Sequence, residues 1–414
     1  MTMKRLLLIA SLFVSSHAWA ETLFINDATV HTMGIRATMQ DADILIRDGY
    51  IQSLGVDLAA PADATVIEAE GRPVTPGLFA GITSHGLVEI SMVDTSADHS
   101  LGGNEMRPEF DATRAYNPAS GTIPVTRIEG LTWSLLGASQ AGSIIGGQGQ
   151  AVSFDGGYES FMGGKVLFVS LGASASAKSN GSRAAQWMLL EQALAEAGSD
   201  LSWLPSPLLT PAGREVLKSS LDGGTVLLEV NRASDILQVL AFSEKYRLNA
   251  VISGGAEAWK VADQLATAGV PVLLNPLVNL PGNFDLLGAR LDNAALLNEA
   301  GVSIAFTGAG THNARKQRQA AGNAVANGLP WETALAALTS NPAAILGLDE
   351  GFGTIEPGSR ADLVVWSGDP LEVTTIADQV IIGGKTIDMV SRQTLLRDRY
   401  LDENPTLPRA YIKP

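Results

Sequence analysis

The 414-residue chain has no cysteine, only five histidines and few aromatic residues. Without thiols it can build no disulfide, no zinc–thiolate centre, no iron–sulfur cluster and no cysteine nucleophile. Basic residues are scarce as well: 28 Lys and Arg stand against 43 Asp and Glu, a formal net charge of −15. So acidic a chain argues against nucleic acid and anionic lipid as partners, because binding either needs a basic face. Long apolar runs are missing after the first twenty residues, so no integral membrane segment is expected in the rest of the chain.

What is there begins with MTMKRLLLIASLFVSSHAWA, where Lys4 and Arg5 precede an apolar core too short to span a bilayer and Ala18-Trp19-Ala20 closes the stretch. That order is the pattern of a cleaved secretory signal peptide, residues 1–20, which predicts a mature start at Glu21 and a periplasmic or secreted protein. A membrane anchor made from the same segment is the alternative. Cleavage removes two positive charges, leaving 26 basic against 43 acidic residues and a net charge of −17. The remaining length suits one large domain and a smaller one.

From Glu21 to about Val74 short alternating runs such as TLFINDATVHTM and ADILIRDGYIQSLG are separated by turns, Asp48-Gly49 among them, which predicts a small antiparallel sheet. The same texture returns in GTIEPGSRADLVVWSGDP and DQVIIGGKTIDMVSRQTLL. Two strand-rich pieces at opposite chain ends most simply form one discontinuous domain, so residues 21–75 and 350–414 are expected to make a composite antiparallel β-sandwich.

Between them, apolar strands alternate with helical stretches. KVLFVSLG (165–172) precedes a helix over about 182–198, GTVLLEVN (224–231) precedes ASDILQVLAFSEKYR, and NAVISGG (249–255) precedes AEAWKVADQLATAG; VPVLLNP and VSIAFTGAG continue the series. Apolar strands alternating with helices indicate a parallel sheet buried on both faces. With the opening strand, residues 76–349 are read as a (β/α)8 TIM-type barrel, and no dinucleotide-type glycine fingerprint supports an open sheet instead. The Gly/Ser-rich region from Gly137 to Ser182 is read as irregular; no Lys-Ser/Thr follows its glycines, so close backbone packing explains them better than phosphate binding.

Reactive side chains of such a barrel lie at the carboxyl ends of its strands. The first strand, in VTPGLFAGITSHGLVEI, delivers Thr83, Ser84, His85 and Glu89; later ends deliver Glu229, Asn231, Arg232, Ser253, Glu257, Asn275, Thr307, Thr311 and His312. Barrel closure should make His85 and His312 neighbours. Glu89, four residues after His85, could orient that imidazole as a general base, so His85, Glu89 and His312 are the candidate catalytic residues. Arg183 and Arg232 could hold an anionic substrate by bidentate contacts, with Asn231 and Asn275 beside it. Each of these residues also has a plainer reading as a polar loop residue, a cap or an ion-pair partner. Ser84 adjoins His85 directly and no G-x-S-x-G elbow is present, which argues against a serine hydrolase.

The stretches VTPGLFAG, RASDI, ISGGAEAWKVADQLATAGVPV, THNARKQRQAAGNAVANGLPWETALAALTSNPAAILGL and GSRADLVVWSGDPLE together resemble the amidohydrolase superfamily on its imidazolonepropionase-like branch. The resemblance covers nearly the whole mature chain. It implies a barrel with a composite β-sandwich, a divalent metal such as zinc held by histidines and an aspartate, and hydrolysis of a C–N bond, other than an ordinary peptide bond, in a small cyclic amide or related substrate. The departures fall on the implied ligands. The paired histidines of the resemblance meet Ile82 and Ser84, a later one meets Asn231 or Ser253-Gly254, and the aspartate meets Gly308 to Gly310; Lys178, in a polar loop, is the nearest candidate for a bridging lysine. Zinc-class ions need three or four nitrogen, oxygen or sulfur donors, and with His31 in the β piece and His99 in a polar loop, no metal ligand is assigned. The competing expectation is a non-catalytic pseudo-hydrolase that binds a small molecule, forms a homo-oligomer or assembles with an active relative.

Overall fold

The computed structural model describes residues 22–198, 207–308, 310–348 and 351–401. The expected signal segment, residues 1–20, lies outside them. The chain opens with five strands, β1 Leu23–His31, β2 Thr38–Arg47, β3 Tyr50–Val56, β4 Thr65–Glu68 and β5 Pro73–Pro76. β1 pairs antiparallel with β2 and β2 with β3, and the Asp48-Gly49 turn between them has both residues at positive φ. On its other edge β1 runs parallel to β4 along its first half and to β5 along its second.

The barrel follows. Its strands are β6 Leu78–Thr83, β8 Leu131–Leu136, β10 Ile145–Ser153, β11 Phe161–Ser170, β12 Thr225–Val230, β13 Asn249–Gly254, β14 Val272–Leu274 and β15 Ile304–Phe306. A two-residue pair, β7 Ser100–Leu101 with β9 Ser139–Gln140, stands apart from this sheet. The order is β15-β14-β13-β12-β11-β10-β8-β6, parallel throughout except for β10, which is antiparallel to both neighbours. Helices follow several of the strands, among them α1 Thr122–Arg127, α2 Arg183–Gly198, α3 Pro211–Leu221, α4 Ala233–Tyr246, α5 Ala262–Ala268, α6 Asn293–Glu299 and α7 Gln317–Ala326. The expected all-parallel barrel is thus corrected to seven parallel strands and one antiparallel strand in a nearly closed sheet. No ladder joins β15 to β6 among the described residues; the gap is bridged by side chains, Thr307 Oγ1 accepting from Ile82 N at 2.9 Å and Thr311 Oγ1 from Ser84 N at 3.0 Å.

The stretch read as irregular is the second correction, because it contains β10 and all of β11, whose first four residues precede the strand expected from residue 165. Gly149 of β10 looks like loop composition, yet a Cβ there would sit 1.8 Å from the Leu136 carbonyl oxygen of β8 and 2.8 Å from the Phe168 ring of β11. Glycine is what lets the antiparallel strand pass between its neighbours, as it does wherever two backbones approach closely.

After the barrel, α8 Trp331–Ala336 and α9 Ser340–Ile345 lead to β16 Leu363–Trp366, β17 Ala377–Ile382 and β18 Lys385–Thr386, and α10 Arg392–Leu401 ends the described chain. β16 pairs with β5, bringing Leu363, Val364 and Val365 opposite Pro76, Thr75 and Val74, so strands from both chain ends lie in one sheet. By its hydrogen bonding that sheet is a single eight-stranded one. It has its own core, in which Leu23, Ile44, Ile46 and Val74 meet Ile355, Leu363 and Ile381.

Candidate functional site

Strand register decides which side chains reach the barrel mouth. A Cβ on Gly255 would touch Val272, Ala258 and Ile252, which places Ile252 of β13 on the side of the surrounding helical layer. Its neighbour Ser253 therefore points into the barrel, because successive strand residues alternate. Ser253 is paired with Glu229 of β12, and Glu229 with Ser170 of β11, so the three form one inward layer at the carboxyl ends of adjacent strands. All three are half-buried, and Ser170 Oγ donates to Glu229 Oε2 at 2.9 Å. Lys178, in the turn Ser176–Ser179 after β11, has its ammonium pKa pulled below the usual lysine value by burial, and the Glu229 charge opposes that shift. On the opposite rim Ser84 Oγ and Thr311 Oγ1 are 2.9 Å apart.

His85 is corrected from a mouth residue to a core residue. Just past β6 the chain turns at Ser84, whose carbonyl accepts from Leu87 N at 3.0 Å, and Ser84 faces Thr311 while His85 is fully buried. Its Nδ1 lies 2.8 Å from Thr83 Oγ1 and its Nε2 2.8 Å from Thr126 Oγ1, with the ring edge-on to Phe154. Burial, aided by the nearby His312 charge, lowers its pKa to about 3. An imidazole so placed is held neutral, and both nitrogens are already taken by hydroxyls, so it has no free lone pair for water or substrate.

Glu89 does not reach it. The carboxylate is exposed and accepts a weak hydrogen bond from Asn117 Nδ2 at 3.5 Å, while Thr83 takes the orienting position expected of Glu89. His312 is exposed and, as barrel closure requires, sits near His85. Glu89, His312 and Thr126 line one cavity of about 390 Å³, with Arg392 of α10 on its wall. The three expected catalytic residues therefore divide, two on a cavity wall and one behind it.

The four expected substrate contacts are engaged by the protein itself. Arg183 bridges Asp235 and Asp285, and Arg232 donates to Asp235 at 3.0 Å. Asp285 also accepts from Ala173 N at 2.7 Å, so this network ties the loop after β14 to the starts of α2 and α4. Asn231 Oδ1 accepts from Ala256 N at 3.3 Å, and Asn275 Oδ1 accepts from Leu277 N at 3.0 Å, closing an Asx turn. Glu257 has the expected helical pairing with Lys260 at 2.6 Å and also accepts from Ala233 N at 3.1 Å, capping the start of α4. Asp235 and Asp285 were not singled out from sequence; Arg232, three residues before Asp235, is a local signal for the first, while their shared partner Arg183 lies 52 and 102 residues away.

The donor set at the mouth decides how well it suits a divalent ion. Hydroxyls of Ser84, Thr307, Thr311, Ser170 and Ser253, one carboxylate, Glu229, the amides of Asn231 and Asn275, which already accept from backbone N–H groups, and the exposed imidazole of His312 are what the strand ends provide. Among the described residues no group of three or more His, Asp or Glu is placed to share an ion. Neutral hydroxyls are poor zinc ligands, so these residues do not fit a zinc-class ion.

The model of the amidohydrolase family (Amidohydro_3) matches residues 300–388. The protein "Amidohydrolase tasK" of Hapsidospora irregularis is 47% identical over 57 residues, 14% of this chain and 6% of that protein, so the chain spans a small fraction of this relative. An amidohydrolase from Thermotoga maritima MSB8 superimposes with a TM-score of 0.78 at 24% identity, over 88% of this chain and 99% of that one. Molinate hydrolase gives a TM-score of 0.55 at 16% identity, over 95% and 98% of the two chains. The triazine hydrolase of Arthobacter aurescens gives 0.55 at 16%, over 91% and 98%. The chain has the fold of the amidohydrolases, and the match to the family's sequence model lies in residues 300–388.

Proposed function

We propose that this chain is an exported amidohydrolase-fold protein that binds a small cyclic amide or related molecule at its barrel mouth without a resident divalent ion. The observation that carries the reading is the pairing of Ser84 with Thr311 at the mouth while His85 is turned into the core. Ser84 stands where the resemblance to the imidazolonepropionase-like branch implies an imidazole, and its partner Thr311 follows directly on the Gly308–Gly310 stretch that meets the implied aspartate. The site keeps polar groups that can hold an amide and loses the Lewis acid that would activate water. Partnership with an active relative, or with a second copy, belongs to the same reading.

The second reading is hydrolysis of a C–N bond by the chain itself, favoured by the family match at residues 300–388 and the hydrolases among its structural neighbours. Without a metal it would rely on His312 and Glu89 at the cavity wall. The two separate in one assay: protein from the envelope fraction is offered small cyclic amides with and without chelator. Saturable binding without turnover supports the first reading, and turnover abolished by chelator overturns it. Intact mass of the same preparation tests export, with a chain starting at Glu21 expected and one retaining Met1 contradicting it.

A further inference from the structure

A cavity of about 560 Å³, larger than the one at the mouth, lies at the opposite end of the barrel. The turn from β1 to β2 gives it Met33 and Thr38, the approach to β15 gives Val302, and α8 and α9 give Trp331, Glu332 and Asn341. These walls are held in place before any ligand arrives. Thr32 N donates to Ala37 O at 3.1 Å across the β1–β2 turn, Ile355 N donates to Thr32 O at 2.8 Å, and Asn341 Nδ2 donates to the Ile304 carbonyl at 2.9 Å. A preformed space of this size suits a small molecule. Its chemistry is aromatic and negative. The half-buried Trp331 has the His31 ring 4.7 Å away, and Asp369 accepts from the indole N–H at 3.0 Å, which fixes the ring by its edge. His31 brings no positive charge at pH 7, because burial lowers its pKa. Glu332 is the one charged side chain among the described residues of the wall, and Arg36, in the β1–β2 turn, is already paired with Glu356 at 3.2 Å. An indole beside a carboxylate, in a chain with a net charge of −15, attracts a cation with an apolar body and repels anions.

We propose that this cavity is a second binding site, for a small organic ammonium ion whose charge is held by the Trp331 ring and the Glu332 carboxylate while its apolar body lies along Met33 and Val302. The composite sheet and the barrel each supply part of the wall, so a bound cation ties the two together and stabilises the folded chain. The site stands at the amino end of β15, away from the strand ends where a barrel of this kind does its chemistry. Its role is therefore binding, and it is independent of what the mouth holds.

Calorimetric titration of the full mature protein with benzylammonium chloride tests this, with benzyl alcohol and benzoate as neutral and anionic controls of the same body. Saturable binding of benzylammonium, tighter than that of either control, is the expected result, together with a melting temperature that rises with its concentration. Trp331→Leu should weaken binding about tenfold and Glu332→Gln about threefold, in line with a partly desolvated cation–π contact and an exposed charge pair. Trp331→Phe keeps an aromatic face and should bind within about threefold of wild type, which tells loss of the ring from loss of the fold. Binding should also change the tryptophan emission of the wild type and leave that of Trp331→Phe unchanged, since the probe then sits against this one indole. Benzyl alcohol or benzoate binding as tightly as benzylammonium, binding equal to wild type in either Trp331→Leu or Glu332→Gln, an emission change that persists in Trp331→Phe, or no saturable binding would overturn the proposal.

Discussion

An imidazole held between two threonine hydroxyls makes stability depend on pH. His85 has a pKa of about 3 in the folded chain, whereas an unfolded histidine titrates near 6.5. Between those values the unfolded chain binds the proton that the folded chain refuses, so the stability contributed by His85 is complete above about pH 6.5 and drains away as pH falls toward 3. Urea midpoints measured from pH 7 down to pH 4 should fall steeply in the wild type and less so in His85→Asn. His85→Ala should cost about 2–4 kcal/mol at pH 7, because it opens a cavity and leaves the hydroxyls of Thr83 and Thr126 without a partner. A stability unchanged by either substitution would show that the two hydrogen bonds carry no weight. The sequence did hold a clue to this placement: His85 is out of phase with Ile82 and Ser84, the two residues where the resemblance expects ligands. Thr126 as its partner was not legible, since 41 residues separate the two and nothing local marks the pair.

At the scale of elements, the barrel depends on how β10 and the loop after β14 are accommodated. Gly149→Ala should destabilise the protein by about 2 kcal/mol or more, because the new methyl would collide with the Leu136 carbonyl and the Phe168 ring, neither of which can move without shifting a strand. A denaturation midpoint equal to wild type would show that β8 and β10 can part without penalty. Arg183→Met leaves Asp235 and Asp285 facing each other without their shared cation. Since the Arg183 side chain is 30% exposed, the loss is discounted for solvent to about 2 kcal/mol. Hydrogen exchange should quicken in residues 276–292 more than in β12 or β13, and a uniform change would contradict the latch. Strands β11 to β15 were legible as apolar runs followed by helical stretches. β8 and β10 were not: LTWSLL lacks a helix of its own directly after it, and IGGQGQAVS has loop-like composition whose glycines answer to neighbours that only the folded sheet supplies.

For the whole molecule, the two chain ends meet in one sheet, and the Trp366 indole donates to Thr75 Oγ1 at 2.9 Å across 291 residues. The return of strand texture near the C-terminus was enough to anticipate that meeting, while the single-sheet pairing rests on β1 being shared between β4 and β5, which no local pattern announces. Inside this frame the scaffold has the fold of the amidohydrolases, and the strand ends carry the hydroxyls of Ser84, Thr311 and Ser170 and the carboxylate of Glu229. The central proposal is that this mouth holds no resident zinc-class ion. Elemental analysis of the mature protein, purified without chelators from cells grown with added zinc, manganese and iron, tests it most directly. The account predicts each metal far below stoichiometry; about one equivalent of any zinc-class ion per chain, lost together with activity on chelation, would contradict it.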